Sequence, residues 1–130
     1  MGDEFFDEWN DEKQRIDGKT SRPPFVSVGD IWWISIGKNV GTEINGKSNR
    51  YTRPAVILRK LKHDFYLIAP TTSQSKHGSW YVSVRHGNTT MSVCLHQIRT
   101  IDYRRVWSRI GTLADDETRK VNEGFRALIW

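Results

Sequence analysis

Residues 54–73, PAVILRKLKHDFYLIAPTTS, carry the pattern that decides the fold. Two apolar runs of strand length flank the polar pair His63-Asp64, which is suited to a turn, so the stretch predicts a β-hairpin. The apolar residues are nearly continuous rather than alternating. Both strands are therefore expected to be buried on two faces, at the centre of a sheet.

Further strand patterns lie on both sides of this hairpin. Before it, VGDIWWISIG at 28–37 is rich in β-branched and aromatic residues and predicts a first strand over 31–36. After it, WYVSVR at 80–85 and MSVCL at 91–95 flank a glycine-bearing turn and predict a second hairpin. IRTID at 98–102 predicts a last short strand.

The hydrophobic period changes from that of strands to that of a helix near the C-terminus. YRRVW at 103–107 fits a single helical turn. Residues 115–128, DDETRKVNEGFRAL, space Val121, Phe125 and Leu128 along one helical face, and their acidic start favours a helix N-terminus. A handful of short strands with helices at the ends predicts a mainly β fold, a small closed or half-closed barrel.

The first twenty residues differ from the rest in period and charge. EFFDEWNDEKQRID at 4–17 spaces its apolar residues for one helical face, and GKTSRPP at 18–24 ends with two prolines. Residues 1–20 carry a net charge of −4, against +9 for the remainder. We predict an acidic helical extension over 1–20 and a basic barrel domain over 21–130, whose charge suits either a polyanion partner or simple solubility.

The composition excludes several classes of protein. Cys94 is the only cysteine, so an intramolecular disulfide is impossible and a reducing cytoplasm is the expected compartment. The acidic N-terminus predicts no signal peptide, and no stretch approaches the roughly 20 apolar residues of a membrane span. No pair of histidines or cysteines has the spacing of a metal site, so no metal and no other cofactor is expected.

Several strings, in their order along residues 28–128, resemble the MazF/PemK/Kid toxins of type II toxin-antitoxin systems. These strings are GDIWW at 29–33, the set Gly41, Glu43, Gly46 and Arg53-Pro54, APTTS at 69–73, QIRTID at 97–102 and RIGTL at 109–113. The resemblance implies an SH3-like barrel of the MazF/CcdB type, a homodimer with single-stranded RNA across its groove, and a neutralising antitoxin. It also implies metal-independent cleavage that leaves 2′,3′-cyclic phosphate and 5′-hydroxyl ends. The N-terminal helix resembles that of a longer subgroup.

The same resemblance implies two catalytic residues. Arg53 occupies the position of the family's catalytic arginine, where a planar guanidinium can hold two phosphate oxygens while charge builds on them. Thr72 matches the catalytic threonine, with Ser73 as its helper. Without the resemblance, a surface arginine and two turn-capping hydroxyls would be the ordinary interpretation.

His96 is a departure from the family pattern. It stands directly before Gln97, where several relatives carry an acidic residue. Histidine is suited to proton transfer near neutrality, so we predict that His96 acts as a base or acid, with a histidine that only contacts RNA or solvent as the alternative. Thr42 and Cys94 replace a histidine and an arginine of the Kid branch. A different set of proton-transferring residues in this chain is therefore left open.

Candidate RNA-binding residues surround these positions. Those predicted from charge are Lys38, Lys47 and Arg50 on the long polar loop over 37–52, and Lys76 after the catalytic strand. Those predicted from the family motifs are Glu43, Pro54, Ser73 and Gln97. Candidate platforms for stacking of unpaired bases are Trp33, Tyr51 and Trp80, with ordinary core packing as the alternative.

Two other functions fit the same pattern. A toxin like CcdB poisons DNA gyrase through its C-terminal region, for which Trp130 would be the candidate residue. A non-catalytic RNA-binding barrel would account for the substitutions at Cys94 and His96. The acidic extension over 1–20 is also able to compete with RNA for a basic groove, although simple docking of a helix is the preferred interpretation.

Overall fold

The computed structural model describes residues 23–37 and 52–129. Within these ranges the chain forms seven β-strands and one α-helix. The strands are β1 (Asp30–Ser35), β2 (Thr52–Lys62), β3 (Phe65–Thr72), β4 (Tyr81–His86), β5 (Thr89–Cys94), β6 (Arg99–Asp102) and β7 (Val106–Thr112), and the helix is α1 (Asp115–Ile129). The predicted N-terminal helix over 4–17, and with it the division at residue 20, lies outside the described residues, as does most of the predicted loop over 37–52.

The strands form one antiparallel sheet in the order β4-β5-β3-β2-β1-β7, with β6 also paired to β3. The predicted hairpin is confirmed: β2 and β3 join at His63 and Asp64 and lie at the centre of the sheet. Along its second edge, β3 pairs first with β6 and then, through Thr71 and Thr72, with β5. This change of partner brings the end of β3 against the second hairpin, β4–β5.

Apolar side chains are buried on both faces of the central strands, as their continuous runs predicted. Because neighbouring residues of a strand point to opposite faces, each run supplies two cores. One core includes Trp32, Ile34, Ala55, Ile57 and Ile68. The other includes Ile31, Val56, Ala69, Val84 and Val93. The mainly β fold with a C-terminal helix is therefore confirmed.

Helix α1 packs on the second core and on β4. Val121 is buried in that core and Phe125 packs against it, as the helical spacing predicted. The helix lies close to β4 at Gly124, where an added Cβ would lie 2.5 Å from Cγ2 of Val82. A glycine at this position lets the helix lie directly on the strand. None of the helices in the described part of the chain is both long and apolar enough to span a membrane.

Strand β7 is the main element that the sequence did not predict. Most of its side chains from Trp107 onward are exposed or half-buried, so it has no clean alternation of apolar and polar residues. It pairs with β1 in a register that shifts twice. The helical turn predicted over 103–107 is correct only for Tyr103–Arg105, a 3₁₀ helix, because the chain is already extended at Val106.

A buried carboxylate joins β1 to β7. Asp30 accepts hydrogen bonds from Oγ1 of Thr112 at 2.7 Å, from the main-chain N–H of Ser27 at 2.9 Å and from Nε1 of Trp32 at 3.2 Å. A buried carboxylate is tolerated only when such donors compensate for its lost hydration. Asp30 therefore holds the two strands, and the chain that enters them, in one arrangement.

Candidate active site

Arg53 is a buried cation at the beginning of β2. Its side chain is 7% exposed, and its Nη1 donates a hydrogen bond of 3.1 Å to the main-chain carbonyl of Thr71. Burial lowers the pKa of Arg53 from its ordinary value, and the neighbouring Cys94 opposes this change. A guanidinium has so high an ordinary pKa that it stays protonated in proteins, so Arg53 is a fixed positive charge.

Thr72 is the last residue of β3, and it lies at the same end of the β2–β3 pair as Arg53, near the beginning of β2. Ala55 of β2 pairs with Pro70 of β3 in antiparallel register. Arg53, two residues before Ala55, and Thr72, two residues after Pro70, therefore approach each other. The Thr72 hydroxyl accepts a hydrogen bond of 3.3 Å from the main-chain N–H of Gln74. This is the turn-capping role that the ordinary interpretation, the alternative to a catalytic role, gives to this hydroxyl. Because the oxygen accepts here, the hydroxyl can still donate its own proton to a ligand.

A cleft of about 230 Å³ opens beside Arg53. Its walls come from β1, β2, β5 and the end of β3, and they combine a cation, hydroxyls and an indole. The lining residues are Trp33, Arg53, Pro54, Thr71, Ser73, Thr89 and Met91. The structure thus brings together three residues predicted from the sequence, Arg53, Pro54 and Ser73, with Trp33 as a partly exposed aromatic wall. Thr72 is not among the lining residues.

Strand β5 supplies polar residues that sequence reasoning missed. Ser92 pairs with Thr72, and its hydroxyl donates to the carbonyl of Gln74 at 3.1 Å. Two further residues of β5, Thr89 and Met91, line the cleft. The pairing of β5 with the end of β3 brings these residues to the site, and no local pattern in the sequence indicates that pairing.

Cys94 is a buried thiol near Arg53. Burial raises the pKa of Cys94 to about 11, while the positive charges of Arg53 and Lys76 oppose the rise. The thiol is therefore neutral at physiological pH, which fits the expected small core residue and not a nucleophile. The effect of Lys76, an exposed lysine, indicates that this predicted phosphate-binding residue also lies near the site.

His96 lies in a 3₁₀ helix, Leu95–Gln97, among aromatic rings. Its ring stands edge-on to Tyr81 and Trp80, with centroids 5.3 and 6.4 Å away, and its Nε2 lies 3.1 Å from Nε2 of Gln97. Neither Arg53 nor Thr72 is among these neighbours. The role of His96 in proton transfer stays a prediction.

The sequence matches the family described as PemK-like, MazF-like toxin of type II toxin-antitoxin system, over residues 27–129. The chain belongs to this toxin family. The match spans every strand that the structure describes and α1, so the cleft beside Arg53 lies inside the family's own domain. No curated protein sequence matches the chain.

Solved structures of PemK- and MazF-like toxins have the same fold. MazF from Deinococcus radiodurans superposes with a TM-score of 0.66 at 20% identity, covering 84% of this chain and 98% of that one. A MazE–MazF complex from the same organism superposes with a TM-score of 0.61 at 18% identity, covering 84% of this chain and 97% of that one. An endoribonuclease in complex with its cognate antitoxin, from a mycobacterial species, superposes with a TM-score of 0.62 at 12% identity, covering 78% of this chain and 92% of that one. At such identities the likeness shows a shared fold.

The remaining predicted site residues of this toxin lie between β1 and β2 in the sequence. Lys38, Glu43, Lys47, Arg50 and Tyr51 fall within 38–51, outside the described residues, and their contacts with RNA stay predictions. Over 23–37 and 52–129, no three residues of His, Cys, Asp or Glu lie together in an arrangement that could hold a metal ion.

Proposed function

We propose that this toxin is a metal-independent endoribonuclease that cleaves single-stranded RNA, sequence-selectively, and so inhibits translation and growth. The observation that carries the proposal is the buried guanidinium of Arg53 at a cleft, held by the carbonyl of Thr71. A fixed positive charge in a partly desolvated site suits a reaction in which negative charge builds on a phosphate.

The proposed reaction is attack of a ribose 2′-hydroxyl on the adjacent phosphate. The bond from phosphorus to the 5′-oxygen breaks, leaving a 2′,3′-cyclic phosphate on one fragment and a 5′-hydroxyl on the other. The hydrogen bond from Nη1 to the carbonyl of Thr71 anchors the guanidinium at the cleft. Arg53 then stabilises the pentacoordinate phosphate, and Thr72 donates its hydroxyl proton to a phosphate oxygen.

Two proton transfers complete the reaction. The 2′-hydroxyl loses a proton, and the departing 5′-oxygen gains one. We assign one of these transfers to His96, because of its position before Gln97 in the family pattern. A positioned imidazole is the usual group for such a transfer at neutral pH.

RNA is proposed to bind through both its bases and its backbone. Trp33 is 39% exposed on the wall of the cleft and can stack with an unpaired base. Lys76 and the net charge of +9 over residues 21–130 attract the phosphates.

The proposed partners follow from the relatives. MazE–MazF from Deinococcus radiodurans and the mycobacterial endoribonuclease are complexes of a toxin with an antitoxin. We infer that this toxin is likewise neutralised by a cognate antitoxin, that it acts as a homodimer, and that it works in the cytoplasm. The single cysteine supports that compartment.

The test is incubation of the purified toxin with a long single-stranded RNA in EDTA, followed by chemical analysis of the new ends. Arg53→Ala should abolish cleavage, while Arg59→Ala, an exposed arginine on the same strand, should leave it unchanged. An RNA whose 2′-hydroxyls are methylated should stay intact. Cleavage of that RNA would contradict the mechanism. Intact unmodified RNA would favour gyrase poisoning or a non-catalytic RNA-binding barrel.

A further inference from the structure

Trp80 is a large aromatic side chain that the fold leaves exposed just before β4. It is 43% exposed, although it is held firmly in place. Its indole lies against Gly78, where an added Cβ would come within 3.1 Å of the ring. Gly78 has φ of +131°, a conformation that other residues rarely adopt. The glycine therefore both permits the turn and leaves room for the ring.

Two other rings support this indole. Tyr81 lies 6.1 Å from Trp80 and is tilted by 48°, while His96 lies 6.4 Å from Trp80 at 72°. The backbone is fixed as well, because the N–H of Leu95 donates to the carbonyl of Trp80 at 2.8 Å. Edge-on and tilted contacts of this kind are favourable. Trp80 is thus an exposed aromatic surface that requires little ordering before it binds a ligand.

The aromatic cluster is connected to the proposed active site through paired backbone. Arg53 binds the carbonyl of Thr71, and Thr71 pairs with Val93 on β5. The next residue of β5, Cys94, pairs with Tyr81 on β4. The cluster therefore begins on β4, two strand pairings beyond β3, the strand that Arg53 contacts. The segment between β3 and β4 that leads to it carries the exposed Lys76.

We infer that Trp80, supported by Tyr81 and His96, is a second base-binding platform, on which an unpaired RNA base stacks while its strand passes Arg53. The inference rests on the proposed function and adds a binding site to it. An indole that is 43% exposed, four residues along the chain from an exposed lysine, fits a base and its phosphate, because every base offers a π-face and every nucleotide a negative charge. Such stacking is tolerant of sequence, so the platform contributes affinity along the strand rather than choice of the cleavage site.

The test measures binding of a short single-stranded 2′-O-methyl oligonucleotide, which the proposed reaction cannot cut. Trp80→Ala should weaken Kd by roughly 5- to 100-fold, the usual range for loss of one stacked base, while Trp80→Phe should retain most of the affinity. The slope of log Kd against log salt should not change, because no charge is removed. Lys76→Ala should instead lower that slope by about 0.7.

Phe25→Ala is the matched control for loss of an exposed aromatic ring. Phe25 is 86% exposed and contacts Lys60, seven residues along β2 from Arg53, which is roughly 23 Å in an extended strand. This variant should bind like the unaltered chain. A strand of abasic residues should bind Trp80→Ala and the unaltered chain equally, since it has no base to stack.

Three results would overturn the inference: unchanged Kd in Trp80→Ala, an equal loss on the abasic strand, or an equal loss in Phe25→Ala. Thermal unfolding of Trp80→Ala and Trp80→Phe separates a binding defect from a folding defect. If the unaltered chain cleaves long RNA while Trp80→Ala binds normally, only the platform is wrong. If the unaltered chain neither binds nor cleaves RNA, the platform and the proposed function both fail.

Discussion

The guanidinium of Arg53 is held by the main-chain carbonyl of Thr71, 3.1 Å from its Nη1. The bond joins the beginning of β2 to the end of β3, where the proposed catalytic hydroxyl of Thr72 follows directly. A backbone carbonyl in a paired strand is a rigid anchor, because the sheet fixes its direction. The orientation of the cation is therefore set during folding, which is the condition for the electrostatic stabilisation of a transition state proposed above.

Arg53→Lys should lower the rate of RNA cleavage by about 100-fold or more, although the charge is kept. An ammonium is a point charge and cannot hold Thr71 while presenting a planar fork to a phosphate. Initial rates on one RNA substrate measure the effect, with Arg59→Lys as the control. A rate for Arg53→Lys within a few-fold of normal would mean that charge alone suffices.

Thr72→Val should lower the cleavage rate by about 10- to 100-fold, because it removes the hydroxyl at nearly constant shape. Thr72→Ser keeps the hydroxyl and should retain most of the activity. Thr72→Val also loses the hydrogen bond from Gln74, and this loss should lower the unfolding free energy by about 1 kcal/mol. Denaturant unfolding measures that cost separately from catalysis. Equal rates for the valine and serine variants would contradict a catalytic role.

His96→Gln should lower the cleavage rate by about 100-fold, because glutamine can still form hydrogen bonds but cannot accept or release a proton. Initial rates on one RNA substrate measure the effect. His63→Gln is the control, since His63 lies on the turn between β2 and β3 with a side chain 79% exposed. An unchanged rate would remove His96 from the proton-transfer step and leave it as a support for Trp80.

The unfolding free energy should fall in alkaline solution, and Cys94 should account for part of the fall. Burial raises the pKa of its thiol from 9.0 to about 11, so the folded chain holds this proton more tightly than the unfolded chain. The contribution is fully present below about pH 9 and is lost as the pH rises through about 11, a change of about 3 kcal/mol.

Denaturant unfolding at several pH values, with Cys94→Ala beside the unaltered chain, measures this contribution. In the variant, the unfolding free energy should no longer show the decrease that begins near pH 9. It should still show the decrease that begins near pH 10, because burial also raises the pKa of Tyr66 from 10.0 to about 12. Parallel curves for the two proteins would contradict the assignment to Cys94.

Much of the fold could be predicted because its signals are local. The strands of the central hairpin, the turn at His63 and Asp64, and α1 each carry their own period or turn residues within a short stretch. Strand β7 could not be predicted, since its exposed residues show no period and its place beside β1 depends on distant residues such as Asp30 and Thr112. Position in a family pattern predicted Arg53 and Thr72, but not their surroundings.

A mainly β domain with a C-terminal helix, a basic body and the motifs of the PemK/MazF toxins can all be read from the amino-acid sequence. The burial of Arg53 against Thr71, the position of Cys94 beside that charge and the contact of His96 with Trp80 are known only from the folded chain. These contacts join residues far apart in the chain, 18 positions in the case of Arg53 and Thr71. They arise from strand pairing and burial, which no short stretch of sequence encodes.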